Sequence, residues 1–159
     1  VLFESIHTGH SVYATVHANS TKETITRLTS PPIDIPLTML PAVSLLLVQY
    51  RNRRSGLRRT FELSEIKENG DANILMRYDA SKDILRKAGN SIAIKNNLEL
   101  FTGAKISTIK KELNEKERVL KWLMKQNINT VDSVGRVMAE YYTNKDNLMK
   151  FVRTNKAFR

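Results

Sequence analysis

The stretch Thr8-Gly9-His10-Ser11-Val12-Tyr13-Ala14-Thr15-Val16-His17-Ala18 decides how the rest of this chain is read. All three histidines of the protein (His7, His10 and His17) lie in or against it. A Thr-Gly-His turn leads into an alternating run, with Val12, Ala14 and Val16 on one side and Tyr13, Thr15 and His17 on the other. Alternation of period two predicts a strand over Val12–His17. His10 at its entry and His17 at its exit would then be held by stiff backbone, as a site contacting a charged ligand requires.

Upstream of this stretch, residues 1–6 predict the end of a helix closed by Thr8-Gly9. Downstream, Ser20-x-x-Glu23 is a capping-box pattern, so a helix is expected from Thr21 to about Thr29 with Ile25 and Leu28 facing inward. Ser30-Pro31-Pro32 ends it, and Asp34 with Pro36 predicts a short helix through Leu40. Leu45–Tyr50 and Leu57–Leu63 flank the turn Arg54-Ser55-Gly56 as a β-hairpin. The continuous apolar run Leu45–Val48 predicts a central strand covered on both faces. Ile74–Tyr78 reads as a third strand after the turn Asn69-Gly70-Asp71.

Beyond Asp79 the pattern changes. Lys82–Asn90 reads as polar and irregular, and Ser91–Leu100 as a helix stopping near Gly103. Ser107 is the expected cap of an amphipathic helix to about Gln126, with Ile109, Leu113, Leu120 and Leu123 along one stripe. Thr130 is expected to cap a helix through Tyr142, and Asp146–Arg153 forms a last one. The expected organisation is a mixed α/β portion over residues 1–78 and a helical portion over 79–159.

Of the 159 residues, 41% are hydrophobic and 26% charged, enough apolar material for one domain or a domain with an appendage. There is no cysteine, which excludes disulfides and thiolate metal sites and accords with a reducing compartment. The uncharged run containing Leu37–Tyr50 is too short to span a bilayer and holds Pro41. No signal peptide is visible, and a start at Val1 in place of Met reads as a truncated beginning, so the expected location is cytoplasmic. A net charge of +10 permits nucleic acid, anionic lipid or acidic protein as partner and does not choose among them.

Thr8–Ala18 resembles the histidine box of the secretion and pilus motor ATPases, the type II secretion system protein E-like superfamily that drives type II and type IV secretion, type IV pili and the archaellum. The likeness continues through His17-Ala18-Asn19-Ser20 and R-L-T-S-P-P-I-D-I-P-L-T-M-L from Arg27. It runs on through V-Q-Y-R-N-R-R-S-G-L-R-R-T-F-E-L-S-E-I from Val48 and E-R-V-L-K-W-L-M-K-Q-N-I-N-T-V-D-S-V-G-R-V-M-A-E-Y-Y from Glu117. Each of these is similar to the archaeal branch. The fold implied is α/β, the C-terminal part of a RecA-like P-loop ATPase core with a β-hairpin, followed by a helical C-terminal subdomain. The assembly implied is a cytoplasmic homohexamer, peripheral to the membrane, docked on a polytopic inner-membrane platform protein. It would use ATP and Mg2+ to drive protein secretion or filament assembly, with no specific nucleic acid.

The chain departs from the family in two respects. It has no G-x-x-x-x-G-K-[ST] and no hydrophobic strand ending in Asp-Glu, so the phosphate cradle and the Mg2+ ligands are missing and the chain alone is expected not to hydrolyse ATP. His7 also stands where the family has a small or polar residue.

In that family the box lies beside the terminal phosphate of the nucleotide, which makes His10 and His17 the expected γ-phosphate sensors. An imidazole titrates near neutral pH and can donate to a phosphoryl oxygen or an attacking water. The plainer alternative is a strand-end histidine bonded to backbone. A zinc site is not expected, because a strand would hold His17 roughly 20 Å from His10 and zinc needs its ligands about 2 Å from one point.

Arg51, Arg53, Arg54, Arg58 and Arg59 crowd the hairpin tip. They either meet a phosphate or acidic partner bidentately or form a solvated, edge-protecting surface. Arg27 and Gln49 are candidates for the nucleotide side or the subunit interface, although an i,i+4 ion pair with Glu23 explains Arg27 equally well. Trp122, Met124, Tyr141 and Tyr142 read as core or inter-helix packing. The competing functional class is a non-enzymatic basic module that binds nucleic acid or an acidic membrane surface. A structural half of a split or degenerate ATPase is a third.

Overall fold

Leu2–His7 forms helix α1, which stops where Thr8 and Gly9 fold its last carbonyls back: the Thr8 amide donates to Glu4 and the Gly9 amide to Ile6, both at 3.0 Å. Gly9 takes φ +88°, a conformation that suits glycine. The computed structural model describes residues 2–158, Leu2 by its backbone alone, so Val1 of the expected first helix lies outside the described residues. Two compact units divide the chain between Phe101 and Thr102.

The strand expected over Val12–His17 is not formed. Residues 10–18 carry no regular structure and lie mostly at the surface, with Tyr13 fully exposed. The alternation is present, but a strand also needs a neighbour to pair its N–H and C=O groups. None of the described strands takes that place.

Helix α2 (Thr21–Thr29) follows, capped by the Ser20 hydroxyl, which accepts the Glu23 amide at 3.1 Å. The return bond of the capping box is displaced by one residue: the Glu23 carboxylate accepts the amide of Asn19 at 2.8 Å, not that of Ser20. Leu28 is buried with Leu40 and Ile66, and Ile25 packs against them. The short helix after Pro36 is a 3₁₀ segment, Leu37–Ala42, and runs on past the expected end at Leu40.

β1 (Leu46–Arg51), β2 (Arg58–Ile66), β3 (Ala72–Asp79) and β4 (Ile84–Lys87) form one antiparallel sheet in sequence order. β1 is therefore an edge strand, not the covered central one its apolar run suggested, and Leu47 is 58% exposed. β4 replaces the irregular stretch expected at 82–90, because the turn after Asp79 brings Ile84 opposite Asp79 and Lys87 opposite Met76. Gly89 closes that strand: a Cβ there would meet the Ile74 carbonyl at 2.6 Å.

Cross-strand partners share a face. Val48, Glu62 and Arg77 lie on the face covered by α2, where Ser64 and Ile66 also point; Leu47, Leu63, Met76 and Lys87 lie on the other. Because β4 and the start of α3 (Ala93–Thr102) belong with this sheet, the first unit reaches Phe101 and does not end at residue 78.

The second unit holds α4 (Ile106–Lys125), α5 (Val131–Thr143) and α6 (Lys145–Thr154). α4 begins one residue before Ser107, which consequently sits in its first turn and does not cap it. Its buried stripe is Ile109, Val119, Trp122 and Leu123, whereas Leu113 and Leu120 are more than half exposed. Val119, Trp122, Leu123, Val137, Tyr141, Leu148 and Met149 form the core of this unit. The Trp122 indole N–H donates to the Lys156 carbonyl at 3.0 Å. Met124 and Tyr142, expected in packing, are 82% and 73% exposed. Thr130 caps α5 as expected, accepting the Ser133 amide at 3.3 Å.

Candidate functional site

His10 is positioned by the end of α1. Its amide donates to Ser5 at 3.1 Å, and its Nδ1 lies 3.0 Å from the Thr8 hydroxyl. That hydroxyl also donates to the Ser5 carbonyl at 3.0 Å, so its single proton is spent there and Nδ1–H must be the donor to it. Nε2 is left facing out: an acceptor in the neutral ring, a donor only in the imidazolium. His17 is exposed and carries no hydrogen bond among the described residues. No ladder holds the two rings at a fixed separation, so the stiff spacing expected of a strand is absent. Among the described residues no group of three or more His, Cys, Asp or Glu side chains is placed to hold a metal ion.

Helix N-termini are the usual anion cradles of α/β proteins, but in the first unit those of α2 and α3 are already occupied by carboxylates from β2. Glu62, nearly fully buried, accepts the Thr21 amide at the start of α2 at 3.0 Å and the Arg77 guanidinium at 2.9 and 3.1 Å. Burial pushes its carboxyl up, but the Thr21 and Arg77 donors outweigh burial and hold it below the ordinary value.

Glu65, fully buried, points to the opposite face. One oxygen accepts Asn73 Nδ2 at 2.7 Å and the Ile92 amide at 2.8 Å; the other accepts the Ser91 hydroxyl at 2.9 Å and the Ile94 amide at 3.0 Å. Burial opposes its ionisation, and the four donors overcome this to hold the carboxyl at about 2. Glu62, Glu65 and Arg77 did not emerge from the sequence reading. The available signal was β2 itself, where Glu62 and Ser64 alternate with Ile66 on a face that must be covered.

Arg27 is bound to Glu23 through two nitrogens at 2.8 and 3.0 Å, the i,i+4 pair its spacing allows. Gln49 is exposed on β1, with Nε2 3.5 Å from the Thr60 hydroxyl.

The five tip arginines separate into two groups. Arg59 forms a bidentate pair with Asp83, both contacts at 2.7 Å, and the Tyr78 hydroxyl donates to the same carboxylate at 2.7 Å. The Arg59 guanidinium, followed by that hydroxyl, holds the Asp83 carboxyl at about 2. Arg51, Arg53, Arg54 and Arg58 are exposed and carry no ion pair among the described residues. The tip that presents them is ordered by Asn52, whose side-chain oxygen accepts the amides of Arg54 at 2.9 Å and Ser55 at 3.2 Å. An apolar groove of about 580 Å³ in the second unit is lined by Leu120, Leu123, Met124, Ile128 and Val134, with none of the candidate site residues on its wall.

No family model matches the chain. Three uncharacterized proteins of Methanocaldococcus jannaschii are similar to it. One is 32% identical over 147 residues, covering 87% of this chain and 20% of that protein. A second is 31% identical over 145 residues, covering 86% and 53%. A third is 25% identical over 162 residues, covering 95% and 28%. The chain thus spans between a fifth and about half of the length of these curated relatives.

Proposed function

We infer that the chain is the C-terminal part of a RecA-like motor ATPase of the secretion, type IV pilus and archaellum superfamily. In this reading ATP and Mg2+ bind to a portion carrying the Walker motifs, and His10 and His17 respond to the γ-phosphate. The hairpin arginines contact a neighbouring copy in a homohexamer or a membrane platform protein. The observation that carries the reading is the Thr8–Ala18 segment, whose two outer imidazoles stand at the surface outside any strand or helix, available to a ligand. Relatives that extend well beyond the aligned stretch are compatible in length with a nucleotide-binding portion elsewhere in the polypeptide. The Thr21, Ile92 and Ile94 amides at the starts of α2 and α3 are held by Glu62 and Glu65, so in this reading the phosphate cradle comes from that portion.

The test is Mg2+-dependent ATPase activity. The purified chain alone should show none. The polypeptide extended by its upstream reading frame should hydrolyse ATP, and His10→Ala or His17→Ala should lower the rate about 10²-fold with ATP affinity retained. Turnover by the short chain, or an upstream frame without a Walker motif, refutes the proposal.

A second reading, a basic module for nucleic acid or anionic membrane, is favoured by the four hairpin arginines that carry no ion pair among the described residues. It requires affinity that falls steeply with salt as counterions are released.

A further inference from the structure

β1 lies at the edge of the sheet, and no described strand pairs with its outer rim. Edges of this kind are normally blunted by charge, proline or a bulge. β1 has a register shift at Val48/Gln49, yet it keeps exposed apolar side chains: Leu47 is 58% exposed and Tyr50 39%, with Leu45 at 47% just before the strand. Leu47 continues across the sheet into Leu63 and Met76. Tyr78, two residues on from Met76 and on the same face, packs at 6.3 Å from Tyr50, which also touches Phe61 at 6.2 Å. An apolar row therefore runs out to an open strand edge. At the end of that strand stand Arg51, Arg53, Arg54 and Arg58, with no carboxylate paired to them among the described residues.

We propose that this edge accepts an extended, acidic segment of a partner protein, which adds to the sheet as a fifth strand. Its backbone pairs with β1, its apolar side chains lie over Leu47 and Tyr50, and its carboxylates meet the hairpin guanidiniums bidentately. Charge argues for a partner over a second copy. Two chains each at +10 repel, and pairing β1 with β1 brings no carboxylate to either tip. The edge argues for protein over nucleic acid. Its unpaired amides and carbonyls are complementary to a peptide backbone, while Tyr50 already makes tilted ring contacts with Phe61 and Tyr78 in place of presenting a free face to a base. The inference stands on β1 and the hairpin alone, independent of any nucleotide chemistry.

The test uses the whole chain, isotope-labelled, titrated with a decapeptide alternating valine and glutamate. Binding should slow amide exchange along β1, and the same peptide N-methylated at alternate amides should lose that effect. Arg53→Glu combined with Arg54→Glu should weaken binding about tenfold or more. Leu47→Lys should do likewise, with protection across β2 and β3 unchanged to show that the sheet remains folded. A thymidine oligonucleotide and anionic phosphatidylglycerol vesicles are the competing probes. Either of them engaging the tip more tightly than the peptide, or peptide binding that ignores N-methylation or leaves β1 exchange unaltered, overturns the proposal.

Discussion

Glu65→Gln is the substitution on which the architecture of the first unit can best be judged. The carboxylate receives four donors on two oxygens in full burial. Glutamine keeps one acceptor oxygen and turns the other position into an NH2 aimed at N–H groups. The Ser91 hydroxyl can turn to accept from it, but one backbone amide among Ile92 and Ile94 is left buried without an acceptor. An orphaned buried donor costs about 1–3 kcal/mol, and the charge-assisted strength of the remaining bonds is also lost.

A second route gives the same size: a carboxyl held at about 2 against its ordinary 4.5 contributes roughly 3 kcal/mol at neutral pH. Because the folded value is the lower one, this contribution is complete above the unfolded value. It is lost as pH falls from about 4.5 toward 2. Glu65→Gln should therefore lower the stability of the first unit by about 3 kcal/mol at pH 7, a Tm loss on the order of 10–20 °C. It should also remove most of that acid-limb slope. Amide exchange along β2, β3 and α3 against urea reports the first unit, while Trp122 fluorescence reports the second and should not move. A variant within about 0.5 kcal/mol of the wild type, or one that keeps the wild-type slope between pH 4.5 and 2, would refute the role given to Glu65.

Two further outcomes concern the second unit. Leu148 is wholly buried at the centre of its core, so Leu148→Ala should cost about 2–5 kcal/mol, read from Trp122 fluorescence in urea. The Tyr141 hydroxyl is buried with no hydrogen-bond partner among the described residues, and burial raises its pKa. Tyr141→Phe should then be neutral or stabilising by up to about 1 kcal/mol in the same assay; a loss beyond that would mean that the hydroxyl has a partner.

Most of the local signals were legible, Ser107 being the exception. Ser20 caps α2, Thr130 caps α5, Gly103 follows α3 with φ +64°, and the Arg54-Ser55-Gly56 turn joins two strands. Each depends on residues within a turn of one another. The histidine segment shows where this stops. Val12, Ala14 and Val16 carry a strand's periodicity, but periodicity records only which side chains share a face and says nothing of whose backbone lies alongside. β1 misled for the same reason. Leu45–Val48 is apolar on consecutive positions, and the rule that such runs are central assumes a cover on both faces that only the strand order can supply.

Glu62 and Glu65 make the point more sharply, because their surroundings invert what their types suggest. Three residues apart on one strand, the two carboxylates of E-L-S-E-I face opposite sides, and nothing local marks either side as covered. The Thr21 amide that fixes Glu62 lies 41 residues away, and the Ile92 and Ile94 amides that fix Glu65 lie 27 and 29 away. A buried carboxylate is tolerable only when such donors arrive, since the isolated ion would be expelled or protonated. One strand thereby fastens a helix to each face of its sheet: Glu62 takes the first amide of α2 and Glu65 the first turn of α3. The same filling commits the Thr21, Ile92 and Ile94 amides, so an anion could reach them only by displacing a buried carboxylate.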